Sequence, residues 1–546
     1  MLSFSVRQIH SSAWLLVLLS SLLQVLIFPL PGMYILSWVA LAPLIVALLR
    51  SRPVGALEID GSVHLQAAKP AQAFLLAYIS GILWYAGTCY WIYDTMHQYG
   101  GLSAPLALLA LFLFCLYLGL YHGLFGLVLS WSAGPGRDNR LALVVAPLLW
   151  VAVELARTLI TGFPWNLLGT AQVDNISLSR ITTWTGVYGI SFEIMLVNVA
   201  VAAAFLVAKK KRSTLLVASL AAAAVLQAGR LVGAPALPTD HAALLVQENL
   251  PVDATWTRDT FERTLRELGD LSVKSAVYNS PAVPDSKPSH TDLIVWPESP
   301  APFYTSDPLF RDAVSALARE SHTWVVTGAI GSAPAAQITS ASQVFNSAAL
   351  ISPAGDWRAR YDKVHLVPFG EYLPFPRLFA FAGGLTKEVG EFRAGTSREP
   401  LDAGGIRLGV FVCYESVFPG EVREFADHGA QVLVNLSNDG WYGDTGAYAQ
   451  HLNQTRMRAI ENDRWLLSAT NTGVTASIDP YGRTVARLPR KLRAALVAPY
   501  ALTSVTTFYT RRGDWFAWLC AIISAGALVA RFVYFRKPGG KAEASS

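Results

Sequence analysis

The chain has 546 residues, of which 53% are hydrophobic and only 15% charged, and its mean hydropathy is +0.37. Soluble proteins carry about 25% charged residues, so this composition excludes an ordinary soluble chain and indicates membrane segments. The net charge of +5 is small for this length, and the basic residues cluster beside apolar runs, which argues against a nucleic-acid surface.

Eight apolar stretches are long enough to be membrane-spanning helices, because a span needs roughly 20 mostly apolar residues. Seven lie in a predicted membrane region at 1–230, and the eighth forms a last span at 513–535. The stretches are 12–30, 33–50, 71–92, 104–131, 141–160, 187–207, 213–230 and 514–534. The first lacks a small-residue cleavage site, so we expect a retained helix and not a signal peptide.

The distribution of basic residues predicts the orientation of these spans. Lysines and arginines follow alternate spans, as in the runs at 209–212 and 531–541, whereas 94–103 contains neither. The positive-inside rule therefore predicts that both termini, including a disordered tail at 536–546, are cytoplasmic. By parity, we expect residues 231–512 on the opposite side of the membrane.

Residues 231–512 have a different character, with short β-branched runs separated by amphipathic segments and turns. We predict strands at 242–247, 292–296, 324–330, 344–351, 407–412 and 431–435. We predict helices at 310–320, 419–428 and 447–462. This alternation favours an α/β layered domain. The predicted fold class is thus a multi-pass α-helical membrane domain with an α/β domain.

Cys413 differs from the other three cysteines because it alone lies outside the apolar runs. The stretch GIRLGVFVCYE (405–415) predicts a buried strand that ends at Cys413, and Pro419 can open the next helix. A nucleophile at such a turn lies near free backbone N–H groups that can hold an oxyanion. A buried structural thiol is the alternative interpretation. No cysteine or histidine cluster indicates a metal site.

Two further segments favour the nucleophile. LIVWPES (293–299) ends an apolar strand with Glu298, and RYDKVHLVPFGE (360–371) carries Lys363 and Glu371. A thiol has a pKa of about 8.5, so a carboxylate is needed to take its proton at neutral pH, and a lysine can stabilise the thiolate and a later oxyanion. Each charge alone is typical of a protein surface, but together they predict a thiol-based acyl-transfer site.

The segments WPES, YDKVHLVPFGE and CYES resemble the Glu-Lys-Cys triad of the nitrilase superfamily. Together with NLSNDGWYG (435–443) and about eight spans, they make nearly the whole chain resemble the apolipoprotein N-acyltransferase family. The resemblance implies a nitrilase-like αββα sandwich on the periplasmic side of a bacterial inner membrane.

The resemblance also implies the roles of individual residues. Glu298 is expected to be the general base, Lys363 the oxyanion-stabilising cation, Cys413 the nucleophile, and Glu371 a carboxylate that orients the lysine. The expected oxyanion- or substrate-binding residues are Tyr414, Glu415, Trp256, Phe163 and Trp165. For Trp256 the resemblance implies a mobile loop over the site, with ordinary packing as the alternative.

The implied reaction moves a fatty acyl group from a phospholipid, through a thioester on Cys413, to the α-amine of an N-terminal diacylglyceryl-cysteine of an apolipoprotein. No cofactor or metal is implied. Two other interpretations stay open at this point. A membrane-tethered amidase or nitrilase would pass the acyl group to water, and a scaffold would have no catalytic activity.

Several other segments give weaker signals. The apolar, aromatic stretch at 372–385 suits a loop that admits an acyl chain or, equally, a small core helix. Phe163 and Trp165 are expected to be aromatic anchors at the membrane interface, by substrate binding or by structure alone. Glu154 and Arg157 lie one helical turn apart and are expected to pair with each other. His365 and His451 lie in no recognisable protease motif and are expected to be polar surface or packing residues.

Overall fold

The computed structural model describes residues 9–53, 65–133, 139–207, 209–277, 291–299, 301–332, 344–374 and 392–536. The chain forms two compact units. A helical unit comprises Met1–Tyr90, Leu109–Val232 and Asp514–Ser546, and an α/β unit comprises Trp91–Leu108 and Gly233–Gly513. The segment 280–289, which is rich in proline and serine, the apolar stretch after residue 374 and the tail after residue 536 lie outside the described residues.

In the described part of the chain, five helices are long and apolar enough to cross a membrane. They are Ala104–Ser132, Arg140–Thr161, Val187–Leu206, Lys211–Leu231 and Trp515–Val533. The first two predicted spans are shorter helices, Ser11–Ile27 and Tyr34–Leu49, and the third, Pro70–Thr88, is long and apolar enough only when taken together with Trp91–Tyr99, to which it is joined at a bend of 55°. The chain is therefore a protein with several apolar helices, and the count of eight spans stays a prediction.

Two charged side chains are buried in the helical unit, and each bonds to a group other than its expected partner. Arg157 Nη1 donates to the Tyr85 hydroxyl at 2.8 Å. Glu154 Oε1 accepts from the main-chain N–H of Leu168 at 2.7 Å and from Trp150 Nε1 at 3.2 Å. The carboxylate thus connects its own helix, Arg140–Ala156, to the short helix Leu168–Gln172, as charges in a membrane region require polar partners.

In its described residues, the α/β unit has twelve strands in two six-stranded sheets. In chain order they are β1 His241–Gln247, β2 Leu293–Val295, β3 Trp324–Ser332, β4 Val344–Ile351, β5 Trp357–Asp362, β6 Leu401–Ala403, β7 Ile406–Val412, β8 Val432–Ser437, β9 Leu466–Thr470, β10 Ala476–Ile478, β11 Thr484–Arg487 and β12 Ala494–Tyr500. The first sheet has the order β12-β1-β2-β3-β4-β5, and the second has the order β11-β10-β9-β8-β7-β6. In each sheet three neighbouring strands are parallel, β1 to β3 and β7 to β9.

The six predicted strands of this region are confirmed as β1, β2, β3, β4, β7 and β8. The three predicted helices are confirmed as Pro308–Ser321, Pro419–Asp427 and Ala447–Asn462. The helices Arg258–Val277 and Phe508–Arg512 were not predicted.

The buried side chains of β1 show how the layers pack, because successive residues of a strand face opposite sides of a sheet. Ala243 and Leu245 belong to one apolar cluster with Val410 of β7 in the other sheet. Leu244 belongs to a second cluster that includes Phe310 of the helix Pro308–Ser321. One face of the first sheet therefore shares a core with the second sheet, and the other is covered by helices.

The α/β unit also takes in residues 91–108, which the sequence analysis assigned to the membrane region. The Thr95 hydroxyl donates to the main-chain oxygen of Trp441 at 2.9 Å. The rings of Trp91 and Tyr442 pack edge to face at 5.2 Å, and those of Tyr99 and Trp441 do so at 5.7 Å. These contacts hold the segment on the loop that follows β8.

Candidate active site

Cys413 lies at a sharp turn between β7 and a short 3-10 helix, Cys413–Val417. Its φ is +51°, a left-handed conformation that is costly for a residue with a side chain. Such strain costs on the order of 1–3 kcal/mol and persists only where surrounding contacts fix the backbone. The thiol lies at the end of an inner parallel strand and is 7% exposed. This confirms the predicted turn, and it shows that Cys413 lies at a point where the surrounding contacts fix the backbone.

Glu415 holds this turn in place through hydrogen bonds to both of its carboxylate oxygens. Its Oε2 accepts from the main-chain N–H of Val412 at 2.8 Å, just before the turn. Its Oε1 accepts from the Tyr361 hydroxyl at 2.7 Å and from the N–H groups of Val364 and His365 at 2.8 and 3.1 Å. Glu415 was expected to bind the oxyanion or substrate, but both its oxygens face protein donors. It therefore joins the Cys413 turn to the segment that carries Lys363.

We expect Glu415→Gln to destabilise the protein, because the substituted amide would turn an N–H₂ group toward a main-chain donor. An unsatisfied buried group costs about 1–3 kcal/mol, which lowers the melting temperature by several degrees in a domain of this size. Thermal unfolding in detergent measures the change. Glu262→Gln, which alters an exposed i,i+4 pair with Arg258, is the matched control. Equal melting temperatures for the two variants would contradict this role for Glu415.

Glu298 follows β2 and points into the same region as Lys363. Its Oε2 accepts from the main-chain N–H of Asn438 at 2.9 Å, and its Oε1 accepts from Asn346 Nδ2 at 2.7 Å. Lys363 Nζ lies 3.6 Å from Oε1. The side chain is 11% exposed, so the carboxylate is held in one orientation by three groups from three different segments.

Lys363 follows β5 and is the cation at the centre of a buried cluster. Its Nζ donates to Glu371 Oε1 at 3.0 Å. Asn346 Nδ2 donates to the same Glu371 oxygen at 2.6 Å, and the main-chain N–H of Val367 donates to Glu371 Oε2 at 2.8 Å. Asn346 thus bridges the two glutamates, and the structure brings Glu298, Lys363 and Glu371 together as the sequence predicts.

The electrostatics of the cluster suit a cation that stays charged and a thiol that stays protonated. Burial would lower the pKa of Lys363, but the carboxylates of Glu371 and Glu298 outweigh it and raise this pKa above its usual range. Burial raises the pKa of the Cys413 thiol, and the charge of Glu298 raises it further, whereas Lys363 opposes the shift. The resting thiol therefore needs a base, and the Glu298 carboxylate is near enough to influence it.

Four other predicted site residues lie in different surroundings. Tyr414 is buried beside the thiol, with its ring edge to face with Phe418 at 5.3 Å. Trp256 is half-buried and packs against the apolar cluster that contains Phe310, so the described contacts fit its packing interpretation. Phe163 and Trp165 belong to the helical unit, where their stacked rings are 9% and 0% exposed. Both are therefore buried inside that unit instead of presenting an exposed surface.

Sequence reasoning missed three polar residues next to the thiol. The Ser437 hydroxyl donates to Asp439 Oδ1 at 2.7 Å. It also hydrogen bonds to the Cys413 thiol, and this contact opposes the rise in the pKa of that thiol. Asp439 Oδ1 lies 3.0 Å from His451 Nδ1. His451 was expected to be a surface or packing residue, but it is 2% exposed and belongs to this polar network. The one available signal was the polar run NLSND directly after an apolar strand.

Comparison with known proteins agrees with this architecture. Residues 253–508 match the carbon-nitrogen hydrolase family, and residues 20–200 match the apolipoprotein N-acyltransferase N-terminal domain. The crystal structure of a carbon-nitrogen hydrolase from Helicobacter pylori G27 covers 50% of this chain and 93% of its own, with 19% identity and a TM-score of 0.35. The family match over residues 253–508 defines the class of the α/β unit, a nitrilase-like carbon-nitrogen hydrolase fold, in a chain that also has several apolar helices.

Full-length relatives define the family more narrowly. An apolipoprotein N-acyltransferase of Geobacter metallireducens is 35% identical over 534 residues, which is 96% of each chain. One from Bradyrhizobium diazoefficiens is 35% identical over 410 residues, 72% of this chain and 74% of its own. The chain belongs to the apolipoprotein N-acyltransferase family, and it is an acyltransferase.

Proposed function

We propose that this chain moves a fatty acyl group from a membrane phospholipid to the α-amine of a diacylglyceryl-modified apolipoprotein, with Cys413 as the acyl carrier. One observation carries the assignment of the site. A buried lysine and an asparagine hold two glutamates together beside a strained cysteine, with Lys363 Nζ 3.0 Å from Glu371 and 3.6 Å from Glu298. A base, a cation and a thiol in one water-poor cluster support covalent acyl transfer.

In the first half-reaction, Glu298 takes the thiol proton and the Cys413 sulfur attacks the ester carbonyl of the phospholipid. Lys363 and main-chain N–H groups, including that of Tyr414, stabilise the negative charge on the tetrahedral oxygen. The carbon–oxygen bond to the glycerol then breaks, and Glu298 returns the proton to the leaving alkoxide. A lysophospholipid departs, and a thioester remains on Cys413.

In the second half-reaction, the free amine of the acceptor attacks the thioester carbonyl. The carbon–sulfur bond breaks, an amide forms, and Glu298 passes the amine proton to the sulfur, which restores the thiol. Amide formation from a thioester is downhill, so the transfer needs no nucleotide. Two half-reactions at one sulfur predict ping-pong kinetics.

The apolar helices support a membrane location for both substrates, since each carries fatty chains that need not leave the bilayer. We propose that all eight predicted spans cross a bacterial inner membrane, with both termini in the cytoplasm. The α/β unit, with the helix–sheet–sheet–helix layering suggested by its two apolar clusters, then lies in the periplasm. The basic residues after alternate spans support this orientation.

An amidase that passes its acyl group to water would use the same three side chains. The family relationship favours transfer to an amine, and the products separate the two activities. Incubation with phospholipid and a diacylglyceryl peptide should yield an N-acylated peptide. Release of free fatty acid without amide would instead favour the amidase.

The decisive experiment is mass spectrometry of the protein purified from membranes. We expect a mass increase of one fatty acyl group on the peptide that contains Cys413, and its loss after treatment with neutral hydroxylamine, which cleaves thioesters. Addition of the acceptor peptide should remove the acyl group at the rate of product formation. An unmodified Cys413 peptide in protein that is actively transferring acyl groups would contradict the proposal.

A further inference from the structure

The side chain of His451 lies directly behind the Cys413 turn, on the helix Ala447–Asn462. Its Nε2 is 3.2 Å from the main-chain oxygen of Cys413 and 2.8 Å from the Ser416 hydroxyl. Its Nδ1 is 3.0 Å from Asp439 Oδ1. The ring thus spans the gap between the loop after β8 and the turn that carries the nucleophile.

Packing confines the ring to this position. Ser416 and His451 are 0% and 2% exposed, and Asp439 is 3% exposed. The Tyr442 ring packs edge to face against the imidazole at 5.6 Å, and Trp91 packs against Tyr442. The two ring nitrogens of His451 thus face a carboxylate oxygen on one side and a main-chain oxygen on the other, and both of these oxygens accept hydrogen bonds.

Resting on the proposed function above, we propose that His451, oriented by Asp439, is a positioning residue that fixes the peptide between Cys413 and Tyr414 so that its N–H faces the oxyanion. A trans peptide is planar, and its C=O and N–H groups point in opposite directions. A donor that holds the Cys413 oxygen on one side therefore aims the Tyr414 N–H to the other. The ring acts through the main chain and not on the sulfur.

The strained backbone explains why such a holder is needed. Cys413 has a φ of +51°, and relaxation of this residue would rotate the following peptide away from its catalytic orientation. Glu415 fixes the strand side of the turn through the N–H of Val412, one residue before Cys413. The Cys413 carbonyl is a point where a side chain, that of His451, contacts this peptide.

Replacement of His451 by glutamine or by asparagine tests the contacts of its two ring nitrogens separately. The amide nitrogen of His451→Gln can reach the place of Nε2 and donate to the Cys413 oxygen. The amide nitrogen of His451→Asn reaches only the position of Nδ1. This variant therefore keeps the contact with Asp439 and loses the contact with Cys413. The control is His241→Asn, which makes the same substitution at another histidine–aspartate pair, with His241 Nδ1 2.8 Å from Asp292 Oδ2, on the first strand of the other sheet.

The readout compares two reactions of the same sulfur. Acylation by phospholipid needs the oxyanion donor, whereas alkylation by iodoacetamide forms no oxyanion. We expect His451→Asn to slow single-turnover acylation about ten- to a hundredfold with an unchanged KM, since the loss of a whole oxyanion donor costs about 10²–10³ in kcat. Alkylation should stay within about twofold of wild type, His451→Gln should recover most of the acylation rate, and His241→Asn should match wild type.

Each of the other results has a definite meaning. Wild-type acylation by His451→Asn would overturn the inference alone. A parallel loss of acylation and alkylation would also overturn it, because it would show a general structural role. If the wild-type enzyme formed no acyl thioester at all, the proposed function would fail first and this inference with it.

Discussion

Cys413→Ala is expected to abolish both acyl-enzyme formation and transfer to the acceptor amine. Loss of a covalent nucleophile removes the first half-reaction entirely, and in other enzymes such a change costs on the order of 10⁶ in kcat. The measurement is N-acylated peptide formed per enzyme, together with the mass of the Cys413 peptide. The substitution removes one sulfur from a buried site, so the variant should accumulate in membranes at the wild-type level.

Cys413→Ser tests the same role more finely, because it keeps a nucleophile of similar size. A hydroxyl is far harder to deprotonate than a thiol, and a burial that already raises the pKa of the thiol would disfavour an alkoxide still more. We therefore expect nearly complete loss of transfer. Cys115→Ala, at a buried thiol in the apolar helix Ala104–Ser132, is the control and should retain full activity. Substantial transfer by either Cys413 variant would exclude Cys413 as the acyl carrier.

The strands that sequence could predict are those whose burial makes them uniformly apolar. β7 and β8 read as β-branched runs because they are buried inner parallel strands, and parallel strands are apolar on both faces. β5, with the sequence WRARYD, and β11, with TVAR, are edge strands with partly exposed side chains, so they lack that signal. Their strand character depends on pairing with a neighbour, which no local pattern reveals.

The residues of the candidate site also differ in whether a local sequence pattern predicts them. Glu298, Lys363 and Cys413 could be predicted because each ends or follows a strand and each has a charge or thiol that chemistry can use. Asn346 could not, because its importance depends on the register of β4. That register places its main-chain oxygen on the N–H of Lys363 and its amide between two carboxylates. A neutral amide inside an apolar strand gives no such indication in the sequence.

The same reason explains the change in the interpretation of His451. A histidine on an amphipathic helix is usually a surface or packing residue, and nothing in its own helix predicts otherwise. Its role emerges only when the loop after β8 brings Asp439 to one nitrogen and the Cys413 turn reaches the other. Buried polar groups of this kind need partners from distant parts of the chain, and the partners define their function.

Glu298→Gln is expected to lower the rate of acylation about 10²–10⁴-fold at neutral pH, the range that a general base contributes. The amide keeps the shape of the side chain and can still accept a hydrogen bond, but it cannot take the thiol proton. Glu320→Gln, at an exposed carboxylate on the helix Pro308–Ser321, is the control and should react as wild type. A wild-type rate in Glu298→Gln would exclude Glu298 as the base.

The pH dependence of this variant separates the loss of a base from a loss of structure. The Glu298 charge helps to raise the pKa of Cys413, so its removal should lower that pKa, although burial, the largest cause of the shift, remains. The thiol therefore stays mostly protonated at neutral pH, and its thiolate fraction grows tenfold per pH unit below its pKa. The residual acylation rate of Glu298→Gln should then rise with the same slope, while the wild-type rate, which uses Glu298 as the base, changes little over that range. Equal pH profiles for the two proteins would show that thiol deprotonation does not depend on Glu298.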